Sequence, residues 1–213
     1  MILNTPRDIK QYIVVRKDLD MDYGKFGSQV AHAAMKVFAD RLKFYYYESM
    51  AMSVRNPSDF SFIPDEIDTI KMNAFHEFTR NMMMWMDNEN FPQFPFTKII
   101  CEVKNEEKLL ELYEKVKAAN IVCALITDNG NTVFKETCPE CEGKGFKQKI
   151  NEEASAMGPN GEIRGIQLDY IECKRCGGKG NLNKPTNTCI SIGPDDVEIL
   201  EPFTKRLRLY KGR

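Results

Sequence analysis

Histidine is scarce in this chain, two in 213 residues, so any mechanism built on an imidazole has only His32 and His76 to draw on. No run of residues approaches the roughly 18 consecutive apolar positions of a membrane helix, which excludes a helical span. The opening MILNTPRDIK has no apolar core of a secretory signal, so the cytoplasm is the expected compartment and no membrane is expected as a partner. Nor is there an excess of one charge: 30 basic and 31 acidic residues leave a net charge of −1. Any nucleic-acid binding must then rest on a local patch rather than on overall charge. No G-x-S-x-G elbow, Walker loop, dinucleotide fingerprint or H-E-x-x-H occurs, and GPNGEIRG departs from the P-loop pattern.

What remains is an ordinary globular composition, 42% apolar with 13 Gly and 10 Pro. The length suits one generous domain, or a domain with a smaller module let into it. Short apolar runs with the β-branched content of buried strands lie at 12–15 (YIVV), 98–103 (KIICEV), 121–127 (IVCALIT) and 188–192 (TCISI), with a weaker one at 206–210 (RLRLY). Helical patterns alternate with them. Asp22 can cap a helix whose stripe is Phe26, Val30, Ala33, Ala34, Val37 and Phe38. Asn105 can cap NEEKLLELYEKVKAAN, which has two Glu in its first turn, Leu109, Leu112, Tyr113 and Val116 on one face, and Asn120 at its end. The alternation predicts an α/β fold, a mixed sheet of four or five strands with helices on both faces.

Two segments break that rhythm. Between the first helix and the second strand, Pro64, Asp65 and Glu66 open a helical pattern running from Ile67 to Met86. Its Met82, Met83, Met84 and Met86 around Trp85 either pack on the sheet or line an adaptable groove. The second holds CPECEGKG and CKRCGGKG, two C-x-x-C knuckles followed by the same glycine spacing. The two-residue gap lets both sulfurs of a turn face one ion, so Cys138, Cys141, Cys173 and Cys176 predict one tetrahedral, structural zinc per chain with no open position for catalysis. FKQKI and GIQLDYIE, joined across MGPNGE, predict a β-hairpin between the knuckles. Both knuckles resemble the CxxCxGxG repeats of J-domain co-chaperones. The expected division is an α/β domain at 1–137 and 184–213, with an inserted four-cysteine zinc module at 138–183. Cys101, Cys123 and Cys189 stand singly in apolar strands and read as buried.

On the first helix Lys25, Gln29 and His32 fall at i, i+4 and i+7, aligning an ammonium, an amide and an imidazole on one stripe. A solvated polar face has the same spacing. His76 reads as a surface or core residue. Asp128 begins DNGNT at a strand's carboxyl end, where open α/β sheets hold ligands, although Asp before Asn-Gly is also ordinary turn chemistry.

Together these pieces resemble the type 2 peptidyl-tRNA hydrolases. YIVVRKDLDMDYGKFGSQVAHAAMKVF is similar to the family's opening with its Gly-Lys and Q-x-x-H-A helix, KIICEVKNEEKLLELYEKVKAANIVCALITDNGNT to its middle, and TCISIGPDDVEILEPFTKRLRLY to its end. The resemblance covers 10–44, 97–136 and 186–210 in order, and removing 138–183 rejoins parts nearly continuous in the family. It implies cleavage of the ester between a peptide and the 3′ ribose of tRNA, with no cofactor for catalysis. It also implies peptidyl-tRNA as partner and Lys25, Gln29, His32, Asp128 and Thr188 as the site, with Thr132 a further candidate. A homodimer stands open beside the monomer. Asn129, Asn131 and Val133 stand where the family's turn has Ala, Arg and Gln. That departure keeps two alternatives in view: an RNA-binding or adaptor protein on the same fold, and a hydrolase for another acyl-tRNA or ester. The sequence leaves open whether Asp128 or His32 is the base. Lys144, Lys147, Lys149, Lys174, Arg175 and Lys179 of the module could meet tRNA phosphates, or form a solvated surface, since as many acids share the segment.

Overall fold

The computed structural model describes residues 8–54, 79–87, 89–93, 96–151, 160 and 168–212, with side chains of 44–54 excepted. His76, the expected helix opening at 64–66 and most of the MGPNGE turn lie outside the described residues. Two compact units are formed, one from Met1–Thr127 with Asn187–Arg213 and one from Asp128–Thr186.

The first unit is built on a five-stranded mixed sheet. In chain order its strands are β1 (Ile9–Arg16), β2 (Lys98–Val103), β3 (Cys123–Asp128), β8 (Thr186–Asp196) and β9 (Arg208–Leu209), arranged β3-β8-β1-β2-β9. β1 runs parallel to β2 and antiparallel to β8, and β9 closes the far edge antiparallel to β2. Alternation along the central strand decides what covers each face. Ile13 and Val15 of β1 pack with Ala33, Val30 and Phe26 of α1 (Tyr23–Val54). Val14, between them, points the other way to Leu109 and Val116 of α2 (Glu106–Ala118) and Leu200 of α3 (Val197–Thr204). Helices therefore lie on both faces, as the alternation predicted.

The caps sit where the sequence placed them. The Asp22 carboxylate accepts from Lys25 N at 2.7 Å, and Asn105 accepts from Lys108 N at 3.2 Å. Asn120 follows the last turn of α2 in the left-handed region, φ 58. The strand expected at 206–210 is shorter, Arg208–Leu209, because Leu207 N still donates to Thr204 O and turns the chain out of α3. β8 is longer than expected. It runs on through Gly193 and Pro194 by slipping one residue against β1 between Lys10 and Tyr12, a β-bulge that places Gly193 N 2.8 Å from Val122 O.

Part of the first interruption, between α1 and β2, is helical, at 79–86. Trp85 and Met84 pack against Ile9 and Phe38, so the packing reading holds for them, while Met83 and Met86 are exposed.

The second unit carries two small ladders. β4 (Lys135–Thr137) pairs antiparallel with β7 (Asn181–Asn183), and β5 (Phe146–Ile150) with β6 (Leu168–Glu172). The latter is the hairpin expected between the knuckles; the former was not read from the sequence, being short and exposed on nearly every residue. Among the described residues no helix is long and apolar enough to cross a membrane.

Candidate active site and cysteine centre

The first turn of α1 begins at the carboxyl end of β1, and its residues inherit different environments from the helix period. Gln29 falls on the sheet side and is 2% exposed. Thr188 of β8, fully buried, donates through Oγ1 to Gln29 Oε1 at 2.7 Å, with the Ile126 carbonyl 3.3 Å away. One residue on, the Cys189 thiol donates to Gln29 O at 3.4 Å. Side chain and backbone of Gln29 are thus both fixed by β8. Lys25, a turn earlier, is half-buried. His32, further along, is exposed, with Nε2 3.3 Å from Ser28 Oγ. The structure brings Gln29 and Thr188 into direct contact and sets Lys25 and His32 on either side of Gln29 along one helix.

Asp128 ends β3. Its Oδ1 accepts from Gly130 N at 2.8 Å, an Asx turn that fixes the carboxylate's orientation. Gly130 has φ +70, and a Cβ there would stand 2.4 Å from Phe134 O and 2.5 Å from Lys184 N, so the turn admits no other residue without moving its neighbours. Thr132 lies two residues beyond, exposed.

One group near the start of α1 escaped the sequence reading. Arg16, only 9% exposed, donates to both oxygens of Asp18 at 3.0 and 2.7 Å, to Asn187 O at 2.9 Å, and lies 3.1 Å from Glu106. Asn187 in turn donates to Glu106 and accepts from Thr127 Oγ1 at 2.6 Å. The Arg16 guanidinium holds the Asp18 carboxyl below the usual carboxylate range, first by hydrogen bonding and then by charge. This network ties the ends of β1, β3 and β8 to the start of α2. Its signal in sequence is a lone Arg closing the apolar run YIVVR, which is slight.

In the second unit the four knuckle cysteines are buried, with their sulfurs all within 4.8 Å of one another. Cys138 and Cys173 sulfurs are 3.9 Å apart, Cys141 and Cys176 sulfurs 3.7 Å. A tetrahedron with metal–sulfur bonds of about 2.3 Å has edges of about 3.8 Å. The knuckles are related as a pair: Cys138 N donates to Gly180 O and Cys173 N to Gly145 O, each at 2.9 Å. Gly145 N and Gly180 N each approach a sulfur, of Cys141 and Cys176, at 3.3 Å. Such amides offset thiolate charge, and the four cysteines can hold a metal ion. The lone cysteines are different. Burial pushes the Cys123 and Cys189 thiols up to about 11 and raises Cys101 as well, which suits packing and not nucleophilic attack.

A family model described as Peptidyl-tRNA hydrolase PTH2 matches residues 9–145. Among curated proteins, a peptidyl-tRNA hydrolase of Sulfolobus acidocaldarius is 27% identical over 137 residues, covering 64% of this chain and 86% of that protein. One from Sulfurisphaera tokodaii is 29% identical over 136 residues, 64% of this chain and 84% of that protein. One from Thermoplasma volcanium is 26% identical over 137 residues, with coverage of 64% and 84%. Since the matched span takes in β1, α1, β2, α2 and β3, with Lys25, Gln29, His32 and Asp128 inside it, this chain belongs to the peptidyl-tRNA hydrolase family PTH2.

Proposed function

We propose that the chain hydrolyses the ester joining a peptide to the 3′ end of tRNA, and the family match over 9–145 is the observation that carries this reading. Water adds to the ester carbonyl, the carbon–oxygen bond to the ribose breaks, and the 3′ hydroxyl and a peptide carboxylate leave. The reaction needs an oriented water, a base for its proton and positive charge for the oxyanion. Asp128 is assigned to orient or deprotonate the water, and its turn-fixed carboxylate supports that role. Lys25 is assigned to stabilise the oxyanion. Gln29 and Thr188, buried and bonded to each other, act as positioning residues for the face of α1 that bears Lys25. His32 helps place the substrate, and Thr132 remains a further candidate in the loop. Incubating the protein with N-blocked aminoacyl-tRNA, free aminoacyl-tRNA and a simple ester tests the reading: cleavage of the first alone supports it. Binding of tRNA with no cleavage of any of the three favours an adaptor, a reading to which the altered DNGNT turn lends support.

The metal of the cysteine cluster is assigned as zinc, one per chain and structural, because four buried sulfurs within 4.8 Å of one another, two pairs of them close to a tetrahedral edge, would fill all four positions and leave none for water or substrate. The segment 138–183 is assigned as an inserted module whose knuckles resemble those of J-domain co-chaperones. Lys147 pairs there with Glu140 and Lys144 lies 3.7 Å from Glu142, so part of its basic charge is met within the module. The cytoplasm is assigned as the compartment and tRNA as the partner.

A further inference from the structure

We propose that the flank of the core domain along β9 is the track on which the tRNA acceptor end lies, with phosphates in a basic groove and the single-stranded 3′ end in an adjoining apolar cleft; this rests on the peptidyl-tRNA reading. The groove, of about 730 Å³, runs between β9, the end of β2 and α2, and is lined by Lys17, Lys104, Lys108, Lys115, Arg206 and Arg208. Glu102 and Glu111 are the acids among its lining residues. They are engaged with part of the basic set: Glu102 with Lys17 at 2.9 Å, Glu111 with Lys108 and Lys115 at 2.7 Å each. The positive excess is therefore carried chiefly by Lys104, Arg206 and Arg208. In a chain whose net charge is −1, this is the local patch that phosphate binding requires.

The adjoining cleft, of about 530 Å³, shares Lys17, Glu102 and Arg208 with the groove, so the two form one continuous surface. Its floor is different. Leu19, Met21, Phe26 and Tyr210 line it, and the Phe26 and Tyr210 rings stack 4.4 Å apart at 17°. A basic groove opening onto stacked aromatic rings suits a nucleic acid that ends as a single strand: phosphates meet cations, and unpaired bases meet aromatic and apolar surface. Direction follows from the chain, since Phe26 is the residue after Lys25 in α1. The ester-bearing end enters at the apolar cleft and the duplex lies along α2 and β9, read through its backbone and not its bases.

The test is binding of uncharged tRNA over a range of salt, alongside turnover of N-blocked aminoacyl-tRNA, for the wild type, Arg206→Gln with Arg208→Gln, Arg206→Lys with Arg208→Lys, and Lys174→Gln with Arg175→Gln and Lys179→Gln. Removing two phosphate contacts should weaken binding roughly tenfold at physiological salt and make the log-log salt slope shallower by about 1.4 to 1.8. The Lys pair should restore most of this, and the module variant should bind as the wild type. KM should rise in the Gln pair with kcat little changed. Lys104→Gln, at a position outside the strands, is a second probe should the Gln pair melt early, and should lower the slope by about 0.7 to 0.9. A wild type that binds through these residues yet cleaves nothing sinks the hydrolase reading and leaves the track. A wild type that cleaves, with the Gln pair binding at wild-type strength or the module variant taking the loss, overturns the track and leaves the hydrolase.

Discussion

Thr188 has no water contact, and its hydroxyl is bonded to a Gln29 amide that is itself buried. Replacing it with the isosteric Val removes the buried hydroxyl that donates to Gln29 Oε1, which costs about 1 to 3 kcal/mol. For a chain of this size the melting temperature should fall by roughly 2 to 4 °C per kcal/mol, readable by calorimetry. Because Gln29 shares its helix with Lys25, turnover should fall as well, with the loss in kcat exceeding any change in KM. Arg16 and Asp18 give a pH effect of known sign. The Asp18 carboxyl is depressed in the folded protein, so its contribution is present above the unfolded value of about 3.9 and lost as pH falls through the folded one. Asp18→Asn should flatten that part of the acid limb of a stability-versus-pH curve, modestly, because the group is part exposed. The residue scale also shows what spacing could convey. Lys25, Gln29 and His32 were visible as a stripe, but that one of them is sealed against β8 while another is exposed depends on a strand more than 150 residues away. Arg16 was missed for the same reason, since all but one of its partners lie far along the chain.

At the scale of elements, caps and stripes were legible because they are local. Asp22 and Asn105 each cap the helix they precede, and the period of three and four put Val30, Ala33 and Leu109 inward. Short ladders were not: β4 and β7 have no buried face to pattern them, and α3 has Pro202 in its interior, which removes a backbone donor and disguises the helix. That the four knuckle cysteines come together was legible because ligand spacing is local and chemically narrow. Structural zinc is worth about 10 to 16 kcal/mol, so chelation should collapse the local fold around the knuckles while the five-stranded core, with its own hydrophobic layers, melts as before. Amide exchange with and without chelator, read separately over the two units, checks this. Cys173→Ser with Cys176→Ser should abolish zinc retention on metal analysis. Gly145→Ala should weaken it, because a Cβ there would stand 2.3 Å from Gly178 O and displace the amide that faces Cys141.

For the whole molecule, a near-neutral chain acting on a polyanion must bind it weakly and through few contacts. Three to five phosphate contacts give a salt slope of roughly −2 to −4, and tRNA binding indifferent to salt would contradict a backbone-led encounter. The proposed zinc is structural, so its removal should lower turnover far less than loss of a catalytic group. Everything else rests on the proposed roles of Lys25 and Asp128 in ester hydrolysis. The most direct measurement is single-turnover cleavage of N-blocked aminoacyl-tRNA by the wild type, Lys25→Ala and Asp128→Asn, each confirmed folded. A general base and an oxyanion-stabilising charge are each worth at least about a hundredfold, so both variants should fall by that much or more. Cleavage by both at the wild-type rate would show that the chemistry is done by other residues.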